Sequence, residues 1–372
     1  MSKPLRLVLC LLFCLPVLAW GQQPAEPANP VLVPRPAPKP VNPGAAEGSI
    51  KLDVVVTDAA GKPVSGLEAK DFTLLDNNQP QNTVSFHASG VTTARHDQLV
   101  EVILLLDAVN IDFRDMSFER EEIGKFLQEN GGHLAQPVSI FLLTDAGVRS
   151  QRQPFTDGNA LAAQLNQLKS TVSSSDLSST GNGAVGPVER FELSLKEMGN
   201  IAGYEEKSPG RKLLIWIGHG WPLLDNMGSQ MTPREQQRIF DSIVEISTML
   251  REARMALYSV SSRANDPSTL DFSASSASVY QSYLKGVKSA RQASSANLGL
   301  KVLAIQSGGR VLGPDNGLQA QIDSCVQDAG AFYTLTFDPA RTQLADEYHD
   351  LKVLIDKPEL TARTSTGYYN QP

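Results

Sequence analysis

The chain has 372 residues, 41% of them hydrophobic and 20% charged, with a formal net charge of −7. That is an ordinary globular composition, long enough for two or three domains with a substantial core. The acidic balance, with no long run of either sign, offers nucleic acid no basic footprint.

Residues 1–21 have the order of a secretory signal peptide. Lys3 and Arg6 are basic, an apolar run extends from Leu5 to Ala19, and Ala19-Trp20-Gly21 supplies small residues at the cleavage spacing. The run is shorter than the roughly 20 residues a spanning helix needs. Export with cleavage before Gln22 is therefore expected, to the periplasm or the exterior, with no transmembrane segment left; retention as an anchor is the alternative. Cys10 and Cys14 leave with this segment, and Leu9 and Phe13 stand where lipid attachment needs small residues. Only Cys325 remains, so the mature chain has no internal disulfide, and its helical surroundings read as a packed thiol.

Prolines at 24, 27, 30, 34, 36, 38, 40 and 43 make residues 22–48 an extended linker, expected to bury no core and to be dispensable for folding. Residues 49–95 read as a small β domain. Ile50, Leu52, Val54 and Val56 alternate as in a half-buried strand. The turn cluster from Asp58 to Pro63 follows, then strands at 71–75 and 82–86 around Asp76-Asn77-Asn78.

The pattern changes in residues 98–330. Continuous apolar runs at 100–106, 138–143, 212–217 and 255–260 read as strands buried on both faces of a parallel sheet. Helices are expected between them at 117–128, 159–168, 188–202 and 233–251, and beyond them at 298–306 and 318–328. In the first, Phe118, Ile123, Phe126 and Leu127 form the apolar stripe and Glu119 to Glu122 face water. Residues 170–186, rich in Ser and Gly, read as a loop, and 262–295 are poorly patterned. The alternation predicts an α/β domain, a Rossmann-like parallel sheet with helices on both faces. Its functional loops lie at the carboxyl ends of the strands. Residues 331–372 return to β character; they either extend that sheet or, the favoured reading, join the 49–95 unit as a small antiparallel β unit built from both flanks.

Three stretches resemble the von Willebrand factor A-related proteins of the acidobacterial type. They are Val54-Val-Val-Thr-Asp58 with Gly61 to Leu67 and Asp71-Phe72; Ile103-Leu-Leu-Leu-Asp107; and Tyr333 to Phe337 with Leu351 to Leu354 and Arg363 to Tyr369. The resemblance spans roughly residues 50–370 and implies an A domain that binds protein ligands. It also implies a metal-ion-dependent adhesion site, with Asp-x-Ser-x-Ser after the first strand, a Thr from a later loop and an Asp after a central strand. Such hard oxygen ligands suit Mg²⁺. Here Asp107 holds the first position and Thr180 matches the Thr. Val109 and Ile111 replace the two Ser, and His219 stands in place of the Asp. Asn110 or Asp112 would have to rebuild the site.

His219 lies in Gly218-His-Gly-Trp-Pro222, where it reads either as a rim residue contacting a partner or as a hydrogen-bonded turn histidine. Trp216 reads as core and Trp221 as a rim aromatic. Asp97, Glu101, Asp112 and Asp115 read as solvated charges. No nucleophile elbow, zinc-protease helix or phosphate loop occurs, and Ser85, His87 and His96 form no triad. The sequence thus leads to an exported protein-binding module without catalysis or cofactor, for an unidentified protein ligand. Its expected partner-binding rim is Asp107, Asn110, Asp112, His219 and Trp221. The alternatives are a Mg²⁺-dependent adhesin with a rebuilt site and, last, a hydrolase on the same scaffold.

Overall fold

A computed structural model describes residues 31–35, 48–89, 99–111, 113–171, 186–221, 231–261, 280–313, 317–339 and 344–370. In chain order the strands of the first flank are β1 (Val33–Pro34), β2 (Ile50–Thr57), β3 (Phe72–Asp76), β4 (Gln79–Gln81) and β5 (Thr83–Ala88). The α/β region follows with β6 (Val100–Asp107), α1 (Phe113–Gln128), β7 (His133–Thr144), β8 (Gly147–Ser150), β9 (Phe155–Asp157) and α2 (Gly158–Thr171). It continues with α3 (Pro187–Glu205), β10 (Arg211–Ile217), α4 (Pro233–Glu252), β11 (Met255–Val260), α5 (Leu300–Gln306), β12 (Val311–Leu312) and α6 (Leu318–Gly330). The second flank adds β13 (Tyr333–Phe337), β14 (Glu347–Ile355), β15 (Thr361–Arg363) and β16 (Gly367–Asn370).

The large sheet has the order β1-β8-β7-β6-β10-β11-β12, with β9 also on β7. Strands β7, β6, β10, β11 and β12 run parallel, and β8 and β1 close one edge antiparallel. The continuous apolar runs explain the burial: every residue of β10 and β11 is buried. One face packs under α1, α2 and α6, the other under α3, α4 and α5. Helix α4 starts sharply because Thr232 and Glu235 cap each other reciprocally and Pro233 occupies the first turn.

The flanks form two four-stranded antiparallel sheets, β15-β2-β13-β5 and β16-β14-β3-β4, around a shared core of Ile50, Leu52, Val54, Leu335, Phe337 and Tyr368. The C-terminal strands therefore join the N-terminal unit: β13 lies between β2 and β5, and β14 beside β3. Val55 breaks the alternation expected of β2. Its side chain is buried in the α/β core while Val54 and Val56 fill the sandwich, so β2 is apolar on both faces where the units meet.

Two sequence readings are corrected. Within residues 22–48, Val33 and Pro34 pair with Ser150 and Arg149, and Leu32 is buried in the α/β core. A proline is compatible with a strand only at such an edge. On α1 the assignments of Phe118 and Glu119 exchange: Phe118 is exposed and Glu119 is fully buried. The helix begins one turn earlier than expected, and Glu119 lies three residues after Met116 and four before Ile123, both buried, which puts it on the inner stripe. Cys325 is buried in α6, and burial pushes its thiol pKa up to about 12, as expected of an inert packed thiol.

Candidate functional site

The order of the parallel strands reverses direction at β6, whose successors β7 and β10 lie on opposite sides of it. The crevice beyond the carboxyl ends of β6 and β10 is the topological switch point, where ligands bind in open α/β sheets. Asp107 ends β6 there, and Gly218-His219-Gly220 follows β10.

Asp107 is fully buried, and its carboxylate accepts four hydrogen bonds. Oδ1 receives the backbone N–H groups of Val109 and Asn110, each at 3.0 Å. Oδ2 receives Asn110 Nδ2 at 2.8 Å and Trp216 Nε1 at 2.9 Å. Two donors per oxygen fill the lone-pair sites a carboxylate offers. Burial raises its pKa, and these four donors pull against that rise. Asn110 Nδ2 also donates to Ser194 Oγ on α3 at 3.0 Å, which ties the loop to the helix layer.

Val109 and Ile111 point into opposite core layers, Val109 among α3, α4 and α5 and Ile111 among α1, α2 and α6. The loop is thus pinned on both sides of the sheet. Gly218, at φ 139°, permits the close packing of β10 beside it, since a Cβ there would lie 3.2 Å from Asp107 Cβ.

Three expected rim residues, Asp107, His219 and Trp221, are instead interior. Trp221 is 5% exposed, donates Nε1–H to the Leu298 carbonyl at 3.0 Å, and meets Trp216 edge-to-face at 4.7 Å. The sequence reads Trp221 as a rim aromatic, but the Gly218–Gly220 bend carries the indole back onto the α4–α5 layer. The His219 side chain is also buried, with Nε2 3.7 Å from Asp115 Oδ2. Asp115, read from sequence as a solvated charge, is buried at the start of α1 because that helix begins earlier and turns it toward β10. Asn110 is half-buried. Asp112 and Thr180 lie outside the described residues, as do His96 and Asp97. Among the described residues, no three His, Cys, Asp or Glu side chains converge as a metal ion would require.

Sequence reasoning missed the partners that define this crevice, Trp216 as donor to Asp107 and Ser194 as acceptor from Asn110, and elsewhere on α1 it missed Glu119 as a buried carboxylate. The i, i+4 spacing of Asp115 and Glu119 was a signal for the last, once the helix start is placed correctly.

The fold and crevice define a mixed α/β protein with a mostly parallel central sheet joined to small antiparallel sheets. No protein-family model matches the chain, and no curated protein matches it. Among solved structures it is similar to the human COPII-coat protein Sec24c, at 8% identity over 74% of this chain and 44% of that one, TM-score 0.33. It is likewise similar to the pilus adhesin SpaC from Lactobacillus rhamnosus GG, at 8% identity over 83% of this chain and 49% of that one, TM-score 0.33. The chain therefore spans less than half the length of either structure. Likeness at this level says nothing of what the chain binds.

Proposed function

We propose that the chain is an exported, non-catalytic protein-binding module of the von Willebrand factor A type, in which the cation position has become an internal structural node. The observation that carries this reading is the saturation of Asp107. A divalent ion at the switch point would need a carboxylate with open lone pairs and further oxygen ligands beside it. Asp107 has both oxygens engaged by protein donors, and the loop positions expected to supply hydroxyls hold the buried apolar side chains Val109 and Ile111. Removing Trp216 or Asn110 from Asp107 to admit a cation would leave a buried polar group without its partner. The described residues of the site therefore do not fit Mg²⁺, and on this reading partner recognition falls to shape and hydrogen bonding along the loops. Export rests on the order of residues 1–21; among the described residues no helix is long and apolar enough to cross a membrane.

Millimolar Mg²⁺ or Mn²⁺ is expected to leave the melting curve unchanged. A ligand at 100 times its Kd would stabilise the fold by about 2.7 kcal/mol, a visible shift. Capture of a protein partner from native envelope extract is expected to survive a chelator. A chelator-reversible rise in melting temperature, lost in Asp107→Ala, would overturn the reading in favour of a metal-dependent adhesin with a rebuilt site.

A further inference from the structure

Residues 32–35 lie on the edge of the large sheet as a peptide lies in a recognition groove. Val33 and Pro34 pair with Ser150 and Arg149 of β8, and Arg35 N–H donates to the Val148 carbonyl at 3.1 Å. Arg149 Nη2 reaches the Leu32 carbonyl at 3.5 Å, and the Leu32 side chain is buried among the α/β core residues.

Arg35 enters a pocket of its own. Its Nη2 donates to the Gln151 carbonyl at 2.6 Å and its Nε to Ser150 Oγ. The guanidinium lies 3.7 Å from the centre of the Tyr204 ring and 5.5 Å from that of Phe141. Glu205 and Glu101 supply negative charge. Lys212 faces the same two carboxylates, and Ser139 Oγ donates to Glu101 at 2.6 Å. A planar fork of donors, an aromatic face and buried carboxylates are the features that select arginine over lysine. The hydrogen-bond partners lie more than one hundred residues away in sequence. Local chain geometry therefore does not impose these contacts; the segment is held by what it presents.

We propose that the β8 edge and the Tyr204–Glu205 pocket form a peptide-binding site for an extended strand of a protein partner. The site reads an arginine beside Tyr204 and a large apolar residue three positions before it, and residues 32–35 are its built-in occupant. Strand addition supplies main-chain hydrogen bonds, and the two pockets supply specificity. A tethered occupant competes at an effective concentration on the order of millimolar, so the site opens only to a partner that binds more tightly than the chain's own segment. The inference does not depend on the switch-point reading.

The test uses the full chain and a fluorescein-labelled peptide with the sequence of residues 30–37. The Arg35→Ala chain, whose own segment no longer fills the pocket, is expected to bind this peptide at least about ten-fold more tightly than the native chain does. Replacing the peptide's arginine by citrulline is expected to cost at least about ten-fold. If Arg35→Ala does not fold by circular dichroism, Leu32→Asp, which loosens the segment and keeps the pocket, takes its place. In the native chain, millimolar peptide is expected to speed amide hydrogen exchange at Val33 and Arg35, and the citrulline peptide is not. Equal binding of the two peptides, or no binding to the variant together with unchanged exchange in the native chain, would overturn the proposal.

Discussion

Glu205 shows how much one side chain sets here. Burial, with Glu101 nearby, raises its pKa from 4.5 to about 7. The unfolded chain releases this proton near 4.5 and the folded chain only near 7. Between those values the folded state holds a proton that the unfolded state lacks, so this group's contribution is full below pH 4.5 and is lost as pH rises through 7. The melting temperature is expected to be higher at pH 5.5 than at pH 8, and Glu205→Gln, which cannot ionise, is expected to flatten that slope. A variant that keeps the native slope would rule Glu205 out as its source. Sequence gave no sign of this group, because a carboxylate at the end of a helix reads as solvated unless the neighbours that bury it are known. Asp107 was visible as a candidate because it ends a buried strand and stands at the first position of the motif that the family resemblance implies. Its role was not, because its donor Trp216 lies on a different strand and reads from sequence only as core.

At the scale of elements, the buried strands were legible because a run such as Ile103-Leu-Leu-Leu has one stable environment, the interior of a parallel sheet. The edge strand was not. Proline density marks a segment as extended, and extended backbone serves a linker and an edge strand equally well. What decides between them is the pocket at Tyr204, assembled from distant parts of the chain. The expectation that residues 22–48 are dispensable is therefore reversed for their docked part. A chain beginning at Pro36 is expected to melt several degrees below one beginning at Pro30. Burying a leucine side chain stabilises by about 1.5–3 kcal/mol, and the Arg35 contacts are lost with it. Equal melting temperatures in differential scanning calorimetry would show that the strand adds nothing to the fold.

At the scale of the molecule, the two units are joined by a charged and hydrogen-bonded seam rather than a linker. Arg254, after α4, holds Asp53 of β2 with Nε at 3.0 Å and Nη2 at 2.5 Å, and Thr334 of β13 donates to the same carboxylate at 2.7 Å. Asp328 of α6 accepts from Tyr258 at 2.9 Å and from Arg363 of β15 at 2.6 Å. Arg363 also donates to the Gly308 carbonyl at 2.7 Å, and Tyr369 of β16 to the Val287 carbonyl at 3.0 Å. Deleting one partner of such a buried charge pair costs about 3–5 kcal/mol, because the other charge is left uncompensated. The units are therefore expected to unfold together. Trp216 and Trp221 both lie in the α/β unit, so tryptophan fluorescence follows that unit once residues 1–21 are absent. Amide exchange in β2 and β13 follows the sandwich. The two denaturation midpoints are expected to coincide in the native chain. Asp328→Ala is expected to lower the common midpoint and split the two, because Arg363 would then favour water over the seam. Separate midpoints in the native chain would mean that the seam is a contact between independent domains. Coincident midpoints in Asp328→Ala would place the coupling instead in the apolar contacts of Val55, Tyr348 and Tyr369 with the α/β core.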